Sequence, residues 1–154
     1  MARVFLSSTA DVKVLYSVDQ PVGKGGANKR DDVLLVQFFL KVISESPGKE
    51  SFKPTGKPAL ATDGIWGSTS QAYLDQFLLE TNRRNPGAKP VKVDARVDPM
   101  TGPTLSSNKG GTEFSVAAMQ ATCKSLMGVA VLNDITTHPK FPAALFQSLK
   151  KLNS

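Results

Sequence analysis

The sequence predicts a mainly α protein with a short N-terminal strand or hairpin and a C-terminal helical extension. Three observations lead to this prediction. Residues 31–46 carry apolar side chains around most of a helix, residues 69–84 form an amphipathic helix, and residues 113–127 form a helix with a face of small side chains. We expect Thr112 to cap the third of these helices and its small-residue face to pack closely against another helix. A chain of 154 residues can build one substantial core. We therefore expect a single domain over residues 1–154.

Composition narrows the class of protein. The hydrophobic fraction of 40% is ordinary for a globular chain. No apolar run approaches the ~20 residues of a membrane-crossing helix, so we expect no membrane span. The apolar segment at the N-terminus is too short for a signal peptide, which predicts synthesis in the cytoplasm without classical export. The single cysteine, Cys123, cannot form an internal disulfide.

The net charge of +6 favours anionic partners such as acidic cell-wall polymers, nucleic acid or a membrane surface. The basic residues are scattered from Lys13 to Lys151. A mildly basic, solvated surface is therefore the simpler interpretation of the charge. Nothing else in the sequence favours nucleic acid, and we do not expect nucleic-acid binding.

The N-terminal region reads as extended chain followed by a loop. Residues 12–18 alternate in polarity, which predicts a half-buried strand, and a second short strand is expected at residues 4–6. Residues 19–30 are rich in glycine but lack the spacing of a phosphate-binding loop. We interpret them as a flexible connector. Asp31 and Asp32 are then expected to cap the first helix.

The segment before the second helix has clear turn and capping signals. Asp63 and Gly64 favour a tight turn, because Asp bonds nearby backbone N–H groups and Gly accepts positive φ. Gly67 supplies a second flexible point. Ser68 is a suitable N-cap residue, and Gln71 three positions later completes a capping-box pattern. We assign structural roles in the loop to Asp63, Gly64, Gly67 and Ser68.

Residues 63–77 resemble the D-G-(aliphatic)-(aromatic)-G-x-x-(Ser/Thr)-x-x-A-x-x-x-F signature of the small helical peptidoglycan-binding domains, which are found beside bacterial and phage cell-wall enzymes. The matching residues are Asp63, Gly64, Ile65, Trp66, Gly67, Ser70, Ala72, Leu74 and Phe77. Ser68 replaces the usual proline, and Leu78 replaces the glutamine that commonly follows the phenylalanine. Upstream, Val33-x-x-Val36-Gln37-x-x-Leu40 is similar to the first helix of that family.

The resemblance covers about residues 31–105. It implies a compact three-helix peptidoglycan-binding-like core there, with an N-terminal extension over residues 1–30 and a C-terminal helical extension over residues 106–154. Residues 47–62 look like an insertion. Residues 94–101 look like a degenerate second copy of the turn, in which Ala95 and Asp98 stand where glycines are usual.

By resemblance, the protein would bind wall glycan or stem peptide in a shallow groove near residues 63–67. Trp66 and Tyr73 are the candidate glycan-binding residues, because aromatic rings stack on sugar faces. Both could equally be core residues that seal the helix pair. Without classical export, a phage, a phage-like particle or a non-classical apparatus would carry the protein to the wall. The alternative is a structural protein that uses the fold as a scaffold and docks a partner through its extensions in a particle or secretion assembly.

No residue pattern points to catalysis. His138 is the single histidine, which we expect in an exposed or capping position, and Cys123 is expected to be a small buried hydrophobe. Catalytic zinc needs about three protein ligands, commonly histidines. The glutamates Glu45, Glu50, Glu80 and Glu113 all have simpler structural roles than glycan hydrolysis. We therefore expect a non-enzymatic protein without a metal site or cofactor.

Overall fold

The computed structural model describes residues 2–6, 14–100, 108–109 and 111–146, and the protein is mainly α. Its three long helices are α1 (Arg30–Glu45), α2 (Ser68–Arg84) and α3 (Ser115–Met127). A short helix α4 (Val129–Asn133), 3-10 turns at Glu50–Phe52 and Ile135–Thr137, and a helical turn at residues 143–146 complete the helical content. Among these helices, none is both long enough and apolar enough to cross a membrane.

The strands of the described residues form short antiparallel pairs. The pairs are β1 (Arg3–Leu6) with β2 (Val14–Ser17), β3 (Val22–Gly23) with β4 (Arg96–Val97), and β5 (Asn108–Lys109) with β6 (Thr112–Glu113). The pair of β3 with β4 joins distant parts of the chain. The predicted N-terminal hairpin is confirmed, with Val4 opposite Tyr16. Residues 12 and 13 of the predicted strand lie outside the described residues, as does the part of the predicted C-terminal helical extension beyond residue 146.

Helix α1 lies at the centre of the core because its apolar side chains point in nearly every direction. Every residue from Asp32 to Leu40 is buried. The helix contacts both α2 and α3, and α3 also contacts β2 of the N-terminal hairpin. The family-like region 31–105 therefore supplies two of the long helices, and the region predicted as a C-terminal extension supplies the third.

The predicted helix caps are wrong. Helix α1 begins at Arg30 after Lys29, and the carboxylate of Asp32 instead accepts the backbone N–H groups of Asp19 and Gln20 at 2.8 and 3.0 Å. Asp32 is buried, so these bonds fix the preceding loop on the helix, and burial raises the pKa of its carboxyl group.

The two downstream caps fail for different reasons. Helix α2 begins at Ser68 with Gly67 in the N-cap position, so Ser68 is already helical and cannot complete a capping box with Gln71. Thr112 was expected to cap α3, but it pairs as a strand residue in β6, and α3 begins at Ser115 after Phe114.

The glycine-rich segment 19–30 is not a flexible connector. Gly23 lies in β3, and Asn28 closes the turn: its Oδ1 accepts from the N–H of Gly23 at 2.7 Å and its Nδ2 donates to the Gly23 carbonyl at 3.2 Å. A Cβ atom at Gly23 would lie 2.3 Å from the carbonyl oxygen of Ala95. Glycine therefore permits the close approach of β3 to the chain before β4.

Candidate functional site

Residues 63–67, which we name the DG loop, form a tight turn before α2. The Oδ1 of Asp63 accepts from the backbone N–H of Ile65 at 3.0 Å, and this bond lowers the pKa of the Asp63 carboxyl. Gly64 has φ of +77°, the left-handed region that glycine adopts without strain. The structural roles predicted for Asp63 and Gly64 match this geometry. Gly67 has extended backbone, with nothing near the position of an added Cβ.

The buried side chain of Gln37 on α1 hydrogen-bonds the DG loop. Its Nε2 lies 3.2 Å from the Oδ1 of Asp63, 3.0 Å from the carbonyl of Ile65 and 3.0 Å from the Oγ of Ser70. Its Oε1 accepts from the N–H of Gly64 at 2.9 Å. Gln37 is fully buried. One amide side chain therefore joins the motif on the first helix to the motif in the loop.

The indole of Trp66 is half-buried and packs against the hydrophobic core. Its Nε1 donates to the Oε1 of Gln71 at 2.8 Å. The Nε2 of Gln71 in turn lies 3.0 Å from both Asp75 Oδ1 and the carbonyl of Ala95. Ile65, next to Trp66, is 68% exposed. The outward side of the DG loop thus offers an aliphatic side chain and part of an indole.

Tyr73 does not share this surface. The residue is 3% exposed, and its hydroxyl donates to the carbonyl of Pro58 at 2.9 Å. Burial raises the pKa of the phenol. With no ring face open to a sugar, Tyr73 stabilises the contact between α2 and the segment 47–62. This burial corrects the expectation that it could bind glycan.

The degenerate second turn repeats the geometry of the first. Asp94 Oδ1 accepts from the N–H of Arg96 at 3.2 Å, as Asp63 does from Ile65. Ala95 has φ of +61°, close to the value at Gly64 although alanine rarely adopts it. The side chain of Gln71 bonds the Ala95 carbonyl and so links the two turns.

Cys123 and His138, the residues considered for nucleophilic chemistry, each pack within the fold. Cys123 is fully buried, as predicted, and burial raises the pKa of its thiol. His138 lies edge-on to the ring of Phe38, its Nδ1 accepts from the N–H of Lys140 at 3.0 Å, and burial lowers its pKa. Within residues 2–6, 14–100, 108–109 and 111–146, no group of histidine, cysteine, aspartate and glutamate side chains could hold a metal ion.

A cleft that the sequence did not predict lies at the other end of α2. About 20 Å of helix, from Ser68 to Thr81, separates it from the DG loop. The cleft has a volume of about 580 Å³ and is lined by Lys49, Phe52, Thr81, Asn82, Arg84, Asn85, Ala88, Lys89, Val91, Glu113, Ala118, Ala121, Thr122 and Ser125. The small residues of α3, which we expected to pack against another helix, include exposed Ala121 and Ser125 in this lining. That small-residue face is the sequence signal for the cleft.

An ion cluster braces one side of the cleft. Glu80, whose side chain is 7% exposed, pairs with Arg83 and Arg84 and accepts from the Oγ of Ser51 at 2.8 Å. These partners, with Arg83 contributing most, lower the pKa of Glu80 to about 2. The guanidinium of Arg84 also covers the ring of Phe52, 4.9 Å from its centroid.

Comparisons with known proteins return no match. No protein-family model matches the chain. No curated protein and no solved structure matches it either. The resemblance of residues 63–77 to the peptidoglycan-binding domains is therefore carried forward as a hypothesis about function.

Proposed function

We propose that the protein is a non-catalytic module that binds peptidoglycan or another anionic cell-wall polymer. One observation carries the proposal: buried Gln37 bonds Asp63, Gly64, Ile65 and Ser70. The two sequence segments that resemble the peptidoglycan-binding domains are 26 residues apart at Gln37 and Asp63. Their direct contact is what a shared fold would require, and so it supports the resemblance.

The outward side of the DG loop is the proposed binding surface. The N–H groups of Gly64 and Ile65 and the indole N–H of Trp66 bond within the molecule. The proposed ligand contacts are therefore the side chain of Ile65 and the exposed part of Trp66. An indole face suits the C–H side of a sugar ring. The net charge of +6 would raise the rate of encounter with an anionic wall. A virion-like particle or a non-classical apparatus is the proposed route to the wall.

The test is co-sedimentation with purified, protein-free peptidoglycan sacculi at physiological salt. We expect saturable pelleting of the wild type and a clear loss of pelleting for Trp66→Ala of confirmed fold. Trp66→Phe keeps an aromatic ring but removes the N–H that bonds Gln71. If stacking carries binding, this variant should pellet nearly as well as the wild type.

A matched pair of aliphatic substitutions controls for general changes in surface polarity. Ile65 is 68% exposed on the DG loop and Leu79 is 57% exposed near the other end of α2. We expect Ile65→Ser to weaken pelleting and Leu79→Ser to leave it unchanged. Equal effects of the two substitutions, or no pelleting of folded wild type, would contradict wall binding through the DG loop.

A scaffold role in a particle or secretion assembly is the second candidate, and it would need a docking surface other than the buried contacts of the N-terminal extension. The backbone of Tyr16 exchanges two buried hydrogen bonds with the side chain of Gln120 on α3, at 2.8 and 2.7 Å. The extension is thus built into the core. Folded wild type that stays off sacculi but assembles with a purified particle would favour this role.

A further inference from the structure

We infer that the cleft at the C-terminal end of α2 is a binding site for a small zwitterionic, peptide-like ligand. In this assignment the anionic end of the ligand meets Lys49 and Lys89, and its ammonium or N–H end meets Glu113. The cleft is lined by no residue of the DG loop. The inference therefore stands apart from the proposed wall binding.

The walls of the cleft are fixed. Asn82 on α2 bonds both backbone groups of Val91, with its Nδ2 donating to the carbonyl at 3.0 Å and its Oδ1 accepting from the N–H at 2.9 Å. On the other side, the N–H of Glu113 donates to the carbonyl of Pro90 at 2.9 Å. The loop between α2 and β4 is thus tied to two elements. A preformed cleft of about 580 Å³ is of ordinary size for small-ligand sites.

Two lysines give the cleft its anion-binding side. Lys89 is exposed and Lys49 is half-buried, and neither ammonium forms an ion pair with the part of the chain that the structure describes. Arg84 is different, because Glu80, Ser51 and the carbonyl of Gly48 already occupy its guanidinium. The positive charge open to a ligand therefore comes from the two lysines.

Glu113 supplies a carboxylate that could accept a hydrogen bond from a ligand in the cleft. Its side chain is half-buried on β6, and its carboxylate accepts no hydrogen bond from the described residues. Burial alone raises the pKa of this carboxyl. A half-buried carboxylate without a partner loses hydration that it does not recover in the protein. A ligand ammonium or amide N–H would supply the missing partner.

The lining favours a peptide-like ligand over a nucleotide. Phe52 is its single aromatic residue among the described residues, and that ring is 3% exposed beneath Arg84. No ring face is therefore open for base stacking. The described lining also contains no glycine, so it lacks the backbone cradle that commonly surrounds phosphate groups. Carboxylate and ammonium groups fit lysine and glutamate side chains directly.

The test is a titration of the full chain, followed by amide chemical shifts, with a panel of dipeptides that have a free ammonium group. Glycyl-glutamate and alanyl-aspartate are the first probes, at about pH 7 and low salt. We expect saturable shifts at the amides of Asn85, Ala88 and Thr122, with Kd of about 1 mM. N-acetylation of the dipeptides removes the ammonium and should weaken binding about tenfold.

Three variants locate the contacts. The double variant Lys49→Ala and Lys89→Ala should weaken binding about tenfold, and Glu113→Gln about fivefold. Lys57→Ala removes an exposed lysine outside the cleft and should change nothing. The absence of saturable shifts across the panel in folded wild type would overturn the inference. Unchanged binding of the double lysine variant, or of the acetylated dipeptides, would overturn it as well.

Discussion

The two ends of α2 use their polar side chains in opposite ways. At the N-terminal end, the glutamines Gln37 and Gln71 bond the polar groups of the DG loop and of the turn at Asp94. At the C-terminal end, Lys89 and Glu113 face a cleft without partners among the described residues. Polar groups that bond each other stabilise a fold, whereas charges left in a concave site are available to a ligand. The signature of residues 63–77 lies at the end of α2 where the polar groups bond each other. It therefore reports on the fold more directly than on a ligand.

The largest loss of stability should come from Gln37→Leu, at the end of α2 that follows the DG loop. The substitution introduces an apolar side chain of similar size, removes the contacts to the loop residues Asp63, Gly64 and Ile65, and leaves the buried Ser70 of α2 without this partner. We expect the free energy of unfolding to fall by about 3 kcal/mol. Equilibrium unfolding in urea, monitored by circular dichroism, measures the change.

Gln76→Leu is the matched control, because the side chain of Gln76 on α2 makes a single hydrogen bond to the described residues, from its Nε2 to the carbonyl of Ser51 at 2.6 Å. Its loss should cost about 1 kcal/mol. If both variants lose the same stability, Gln37 is not the organising residue of the loop end, and the contrast between the two ends fails.

A smaller, pH-dependent effect is expected from Glu80, which stabilises the fold near the cleft. Its folded pKa of about 2 lies below the ordinary value of 4.5. The ionised form therefore stabilises the protein above about pH 4.5, and this contribution is lost as the pH falls toward 2. We expect it to be about 1–2 kcal/mol, because the exposure of Arg83 weakens the pairing.

Urea unfolding at several pH values compares wild type with Glu80→Gln. At about pH 7 the variant should be less stable by the amount given above, and the two proteins should converge as the pH approaches 2. A stability difference that stays constant across this range would show that charge pairing at Glu80 is not its source.

The smallest changes in stability are expected from substitutions in the two turns, at Gly64 and at Ala95. Gly64→Ala places a side chain at φ of +77° and brings its Cβ to 2.8 Å from Arg30 Cγ, so we expect a loss of about 1 kcal/mol. Ala95→Gly relieves a left-handed alanine at φ of +61° and should stabilise by about 0.5 kcal/mol. Thermal unfolding of both variants and of wild type gives the sign of each change in stability. Changes of the same sign would contradict the equivalence of the turns.

Local sequence patterns predicted the elements but not their partners. The apolar periodicity of residues 31–46 and 69–84 was sufficient to predict α1 and α2. The alternating polarity of residues 12–18 was sufficient to predict β2.

Two of the capping side chains bond groups elsewhere in the chain: Asp32 accepts from the backbone N–H of Asp19, and Gln71 donates to the carbonyl of Ala95. Ser68 and Thr112 failed as caps because the first is already helical and the second lies in β6. A cap predicted from spacing alone cannot anticipate such tertiary competition.

The cleft could not be predicted because its lining comes from separate parts of the chain. Lys49, Lys89 and Glu113 share no local motif, and the loop that carries Lys89 is fixed by the bonds between Asn82 and Val91. The small residues of α3 predicted packing against another helix, and α3 does contact α1, but Ala121 and Ser125 of the same face are exposed in the cleft. Small side chains leave room for another element or for a ligand, and sequence alone does not distinguish the two.

Co-sedimentation with sacculi, comparing variants from the two ends of α2, tests the proposed wall binding most directly. The loop-end variant is Trp66→Ala, and the cleft-end variant is the double substitution Lys49→Ala and Lys89→Ala. We predict saturable pelleting of wild type, a loss for the loop-end variant, and retention within about twofold for the cleft-end variant. Pelleting that survives at the loop end but is lost at the cleft end, or no pelleting of folded wild type, would contradict the account.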